Sequence, residues 1–177
     1  MHVLHYVAVE ADDKNQATSR VDIALNESLE NGGTWFDWFV VGGGRFTTPE
    51  GAHFSEAYND TSDNTISYTE DQLEFYATLK KQVRIRKEQF EDRLSRVDES
   101  KIKQSIAQFR ATDEEAVGQD RVAIYNLKEL SETLLGYWNP DSYFYDMESF
   151  DCDVQPIKDR IKNNPTQQFL VPVDFHF

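Results

Sequence analysis

Residues 169–177 carry the most restrictive pattern in the chain, because apolar side chains occupy every second position. Successive side chains of a β-strand point to opposite faces, so a period of two predicts a strand with one apolar face. That face contains Phe169, Val171, Val173, Phe175 and Phe177. The other face contains Leu170, Pro172, Asp174 and His176. The pattern therefore requires a sheet with a packed core on at least one side.

Strand and helix patterns recur on both sides of a helical middle. The flanking segments comprise strands at 3–9, 34–41, 143–147 and 169–177, and helices after Asp12 or Asp13 and at 154–162. The glycines of Asn31-Gly32-Gly33 end the first helix. The order β-α-β, insertion, β-α-β predicts an α+β fold, a ferredoxin-like sandwich with helices on one face of the sheet.

The middle of the chain is predicted to be helical. Apolar residues recur at steps of three, four or seven over 70–97, and a second helix begins near Asp98 or Ser100, which together indicate a helical hairpin. Residues 112–115 match a capping box, and residues 121–126 fit either a strand or a helix. We expect one domain over residues 1–177. Its parts are an α/β core at 1–46 and 120–177, a loop at 47–68 and a helical insertion at 69–118.

The charge is strongly negative and unevenly distributed. Of the net −14, residues 1–60 contribute −7, residues 113–177 contribute −8 and residues 61–112 contribute +1. An acidic surface repels nucleic acid and anionic membranes and attracts basic proteins, although it also serves simple solubility. The single cysteine, Cys152, excludes an intramolecular disulfide, and no signal peptide or long apolar stretch is present. These features predict a cytoplasmic protein.

The most unusual segment runs from Trp35 to Phe46. It contains Trp35, Asp37 and Trp38, then Gly42, Gly43, Gly44 and Arg45. A glycine-rich turn beside an arginine is a candidate site for a phosphate or carboxylate, which backbone N–H groups and a guanidinium would hold. The alternative is that the glycines allow close packing and Arg45 pairs with an acid of the sheet.

A second candidate is formed by Asp174 and His176, which lie two positions apart on one strand face. A carboxylate and an imidazole on one face can bind a metal or exchange protons, and His5 and Asp153 are the further candidate ligands. The spacing matches no closed metal motif, so no cofactor is predicted. The alternative is a histidine that is simply hydrogen-bonded within the sheet.

The helical middle is locally basic. Lys80, Lys81, Arg84 and Lys87 are candidates for an interaction surface. Interleaved acids such as Glu88 make solvated helix faces the simpler interpretation. These helices would otherwise contact the acidic flanks of the same chain or of a second copy, so a homodimer is one candidate assembly.

The aromatic strand with its glycine turn and the terminal Val173-Asp174-Phe175-His176 resemble motifs of small phage and prophage proteins of unassigned function. Those proteins carry W-x-D-W-x-x-V-G-G-R-W/F and a final V-D-x-H. This chain has an extra glycine, Gly44, before Arg45, and Phe46 where tryptophan is common. The resemblance covers residues 3–46 and 143–177. It implies a phage origin and an α+β core, and it implies no reaction.

Together these features favour a non-enzymatic binding protein that inhibits or sequesters a host macromolecule. An anti-CRISPR or anti-restriction protein that imitates nucleic acid would act in this way in the host cytoplasm. The expected partner is a host protein or protein–nucleic acid complex with a basic surface, and neither direct nucleic-acid binding nor a membrane is expected. Two alternatives use Arg45, Asp174 and His176: a metal-dependent hydrolase and a binder of a nucleotide-like ligand.

Overall fold

The computed structural model describes residues 1–47, 62–111 and 121–177, and for residues 108–111 it describes the backbone alone. The chain divides into two compact units, one of residues 1–85 and 138–177 and one of residues 86–137. The strands are β1 (His2–Glu10), β2 (Trp38–Val41), β3 (Ile66–Ser67), β4 (Phe144–Asp146) and β5 (Gln168–His176). The helices are α1 (Lys14–Asn31), α2 (Gln72–Ser95), α3 (Glu99–Ala111), α4 (Arg121–Leu135) and α5 (Gln155–Asn163). The mixed α+β class predicted from the sequence is confirmed.

All five strands form one mixed sheet in the larger unit. β5 pairs antiparallel with β1 over nine residues, from His2 opposite His176 to Glu10 opposite Gln168. Both β2 and the short β3 pair antiparallel with the other edge of β5, while β4 pairs parallel with β1. The ferredoxin-like arrangement is not confirmed, because β5 lies between β1 and β2 in the strand order β2-β5-β1-β4.

One face of the sheet is covered by α1. Asp13 begins this helix, because its carboxylate accepts a hydrogen bond of 2.8 Å from the backbone N–H of Gln16. The buried residues Ala17, Val21 and Leu25 recur at helical spacing along it. They pack in one cluster with the odd-numbered sheet residues Val7, Val9, Phe169, Val171, Val173 and Phe175. The alternation of apolar residues in the last strand therefore arises because every second side chain is buried in this core.

The opposite face carries a second core. Phe75 and Leu79 of α2 and Ile157 and Ile161 of α5 are buried against the even-numbered sheet residues. These sheet residues are Ala8, Phe144 and Leu170. The prediction of helices on one face of the sheet is therefore wrong. The error arose because Ala8 and Leu170 lack the run of large apolar neighbours that marks the first face, so the sequence did not reveal a second buried face.

The unit of residues 86–137 contains the end of α2 together with α3 and α4. Arg93 of α2 is buried, donates to the hydroxyl of Thr133 and lies 3.9 Å from the Glu129 carboxylate. The Asn126 side chain donates to the backbone oxygen of Arg96 at 3.0 Å. Residues 121–126, ambiguous in the sequence, are helical. The predicted boundaries of the insertion, 69–118, differ from those of this unit and stay a prediction.

Two sequence predictions fall wholly or partly outside the described ranges. The capping box at 112–115 is one of them, and most of the predicted loop at 47–68 is the other. Within the described part of that loop, residues 66–67 form β3, a strand that the sequence did not indicate. None of the described helices is long and apolar enough to cross a membrane.

Candidate functional site

Polar and aromatic side chains meet at the end of the sheet where β1 begins and β5 ends. Residues His2, His176 and Trp38 lie side by side on three neighbouring strands, and Asp174 occupies the same face one step further in. We call these four residues the histidine cluster. The sequence singled out Asp174, His176 and Trp38 but not His2. The missing information was the strand register, which places residue 2 opposite residue 176.

Asp174 is the buried anchor of the histidine cluster. Its side chain is 1% exposed, and its Oδ1 lies 2.8 Å from Nδ1 of His2. The other oxygen, Oδ2, accepts the backbone N–H of Arg45 at 3.2 Å and lies 3.8 Å from Nε of that residue. A buried carboxylate must be compensated by hydrogen-bond donors or positive charges. Here the His2 imidazole donates a hydrogen bond, and Arg45 supplies a backbone hydrogen bond and a positive charge.

The glycine turn places Arg45 against Asp174. The backbone N–H of Gly42 donates to the oxygen of Pro172 at 2.8 Å, which fixes the turn to β5. Gly44 has φ +47°, and a Cβ added there would lie 2.8 Å from Oδ2 and 2.9 Å from Cβ of Asp174. The turn therefore does surround a carboxylate, as its composition suggested, but the carboxylate belongs to the chain's own sheet. Of the two interpretations of Arg45, this geometry matches pairing with an acid of the sheet.

His176 is hydrogen-bonded to a second carboxylate, that of Asp37. Its Nδ1 lies 2.7 Å from Oδ1 of Asp37, whose side chain is 63% exposed. This hydrogen bond is the largest cause that lowers the pKa of the Asp37 carboxyl below its usual value. The indole of Trp38 stacks on the His176 ring, with centroids 5.0 Å apart and planes 13° from parallel. Asp37 and Trp38, selected from the sequence, thus both contact His176.

His5 lies on the other face of the sheet, away from the histidine cluster. Its Nδ1 accepts a hydrogen bond of 2.8 Å from Nε1 of Trp138, and its Nε2 lies 3.3 Å from the oxygen of Pro140. Trp35 packs beside it, with ring centroids 5.1 Å apart. Burial lowers the pKa of His5 to about 3, against a smaller opposing effect of the Pro140 hydrogen bond. Both of its nitrogens are occupied in the core.

The metal ligand set considered from the sequence does not come together. His5 is separated from Asp174 and His176 by the sheet, since residues 5 and 174 have opposite side-chain directions. Asp153 accepts the backbone N–H of Gln155 at 3.1 Å, at the start of α5. In the described ranges, no group of three or more His, Cys, Asp or Glu side chains is arranged to hold a metal ion.

The buried neutral state of His5 makes the stability of the protein depend on pH. The unfolded chain binds a proton at His5 near pH 6.5, whereas the folded chain does so only near pH 3. The stabilisation is therefore complete above pH 6.5 and is lost as pH falls toward 3. We expect this residue to lower the free energy of unfolding by about 1 kcal/mol between pH 6 and pH 5. Urea unfolding of the wild type and of His5→Gln at both pH values measures the difference in slope.

Parallel pH dependence in these two proteins would contradict this expectation. If His5→Gln does not fold, the nitrogen chemical shifts of His5 in the wild type give the same information. They should report a neutral ring at pH 5, and a protonated ring at that pH would also contradict it.

A second buried carboxylate lies where β4 ends. Asp146 is fully buried, and the two terminal nitrogens of Arg160 contact its oxygens at 2.6 and 3.0 Å. The hydroxyl of Ser149 donates to the same carboxylate at 2.7 Å. Arg160 also lies 3.6 Å from a carboxylate oxygen of Glu10. The network joins β4, α5 and β1, so its geometry is that of a structural ion pair.

The basic residues selected as an interaction surface lie along α2. Lys80, Lys81, Arg84 and Lys87 are all exposed, and Nζ of Lys81 lies 4.1 Å from the centroid of the Tyr143 ring.

Searches with protein-family models, curated protein sequences and solved structures find no significant match to this chain.

Proposed function

We propose that this protein is an acidic binding protein of phage type that inhibits or sequesters a host macromolecule with a basic surface. The observation that carries the proposal is the location of the charge. Residues 1–85 and 138–177 contain 21 acids and 9 bases, a net charge of −12. Among the acids of the described residues only Asp146 and Asp174 are buried, and the others are exposed or half-buried.

Such a surface favours a particular kind of partner. Carboxylates on a rigid sheet-and-helix unit create a negative potential that repels nucleic acid and accelerates encounter with a basic cleft. A cleft that normally binds nucleic-acid phosphates has this character, so nucleic-acid mimicry is the mechanism we favour. The resemblance to phage proteins supports an anti-defence role, such as anti-CRISPR or anti-restriction activity, in the host cytoplasm. In this role the protein performs no reaction.

The alternative of an anionic ligand held by Arg45 has less support. The backbone N–H and Nε of Arg45 both approach Asp174, so an incoming phosphate would meet a buried carboxylate at the same position. Like charges at this distance disfavour anion binding strongly in a partly buried site.

A capture experiment from bacterial lysate tests the proposal. We expect the protein to retain a nucleic-acid-binding partner at low salt, to lose it as salt rises, and to compete with duplex DNA for it. A variant with Asp22→Asn, Glu27→Gln and Glu30→Gln on α1 removes three charges without touching the core, and we expect weaker capture.

The matched control removes three exposed bases instead, through Lys80→Gln, Lys81→Gln and Lys87→Gln. We expect this variant to capture the partner as well as the wild type does. Loss of the partner with the lysine variant alone would assign recognition to the basic face of α2. Failure to capture any partner at either salt concentration would count against a binding function.

A further inference from the structure

The two histidines of the cluster face each other across one antiparallel strand pair. Met1 and Phe177 exchange both of their backbone hydrogen bonds. The next pair along the ladder, His2 and His176, is therefore of the non-hydrogen-bonded type, in which the Cα atoms approach to about 4.5 Å and the side chains lie closest. The ring centroids are 4.9 Å apart, and the ring planes are inclined by 70°.

Each imidazole is oriented by a carboxylate at the same nitrogen. Nδ1 of His2 lies 2.8 Å from Asp174, and Nδ1 of His176 lies 2.7 Å from Asp37. In the neutral ring this contact places the proton on Nδ1 and leaves the lone pair on Nε2. Within the described residues, neither Nε2 has a hydrogen-bond partner.

This combination is the one that metal-ligating histidines show. A histidine that binds a metal through one nitrogen nearly always donates its other N–H to a carboxylate, a backbone oxygen or water. Here both rings have that partner, the two carboxylates can balance a divalent cation, and the surrounding chain is acidic. Both rings also reach solvent, with exposed side-chain fractions of 13% for His2 and 31% for His176.

We propose that His2 and His176 chelate a divalent transition-metal ion of the zinc type through their two Nε2 atoms. Imidazole nitrogen suits Zn²⁺, Cu²⁺ and Ni²⁺, whereas Mg²⁺ requires oxygen ligands. Two protein nitrogens leave two of the four positions of a tetrahedral zinc ion to water or to a donor from another molecule. The site differs from the ligand set considered from the sequence, because it uses His2 in place of His5 and uses the carboxylates as partners of the rings.

Isothermal titration of the full chain, purified without a histidine tag, tests this site. We expect one Zn²⁺ per chain and no binding of Mg²⁺. His2→Ala and His176→Ala should each weaken zinc binding at least tenfold. Asp37→Asn removes only the partner of His176, on an exposed side chain, and should weaken binding about tenfold. Glu30→Gln, which removes the same charge from an exposed position on α1, should leave the affinity unchanged.

Nitrogen chemical shifts of the histidine rings provide a readout that does not depend on folding of a variant. Added Zn²⁺ should shift Nε2 of His2 and His176 while Nδ1 keeps its proton. No zinc binding, zinc binding that survives both histidine variants, or a zinc-induced change at Nδ1 instead of Nε2 would each overturn the proposal.

Discussion

Replacement of Asp146 by alanine should lower the free energy of unfolding by about 3 kcal/mol, at the lower end of the range for a broken buried ion pair. The substitution leaves Arg160 without the carboxylate that contacts both of its terminal nitrogens. Arg160 keeps Glu10 at 3.6 Å and is 18% exposed, so the remaining charge is partly compensated. The loss of the Ser149 hydrogen bond adds to the cost.

Urea unfolding at pH 7 measures this difference. The control is Asp159→Asn on α5, the helix that carries Arg160. The exposed carboxylate of Asp159 contacts Lys162 at 2.7 Å. Exposed pairs of this kind contribute little to stability, so the control should unfold almost as the wild type does. A loss below about 1 kcal/mol for Asp146→Ala would show that the network contributes little to stability.

Replacement of Gly44 by alanine should also destabilise the protein by about 3 kcal/mol, from two separate costs. The first is conformational, because φ of +47° is unfavourable for a residue with a Cβ. The second is steric, because the new methyl group would overlap the Asp174 side chain and would lie 3.2 Å from Cβ of Val40. Asp174 cannot retreat without giving up His2 or Arg45.

Gly33→Ala separates the two costs. Gly33 has φ +84°, but no described residue beyond its two chain neighbours has an atom within 4 Å of the added Cβ, so only the conformational cost of about 1 kcal/mol applies. Thermal or urea unfolding of the two variants should therefore differ by about 2 kcal/mol. Equal losses would mean that the turn relaxes away from Asp174 at little cost. In that case, the close approach would not be what requires glycine at position 44.

The sequence predicted most elements because their signals are local. The alternation over 169–177 corresponds to β5, Asp13 begins α1 as expected, and the long amphipathic pattern at 70–97 corresponds to α2. The order of the strands was not predictable in this way. It depends on which apolar edges pair across the chain, and the two-residue β3 is too short to leave a periodic signal.

The candidate site was predicted only in part, because residue type and spacing are local signals whereas strand pairing is not. Asp174, His176 and Arg45 were selected by type and spacing, and the structure brings them to one end of the sheet. His5 was considered with them as a further candidate ligand in case the first and last strands pair. Side-chain direction alternates along a strand, so His5 lies on the opposite face and His2 takes the position near Asp174. The role of Gly44 could not be seen either, because the clash it avoids is with a residue 130 positions away.

Three of the other four strands hydrogen-bond to β5, which is the last described strand along the chain. During synthesis β1, β2 and β3 are therefore made long before the strand that joins them, and they leave unpaired edges until residues 168–176 appear. Contacts at such separation are entropically costly to close and are associated with slow folding. The nascent chain consequently remains open to aggregation or chaperone binding until residues 168–176 have been synthesised.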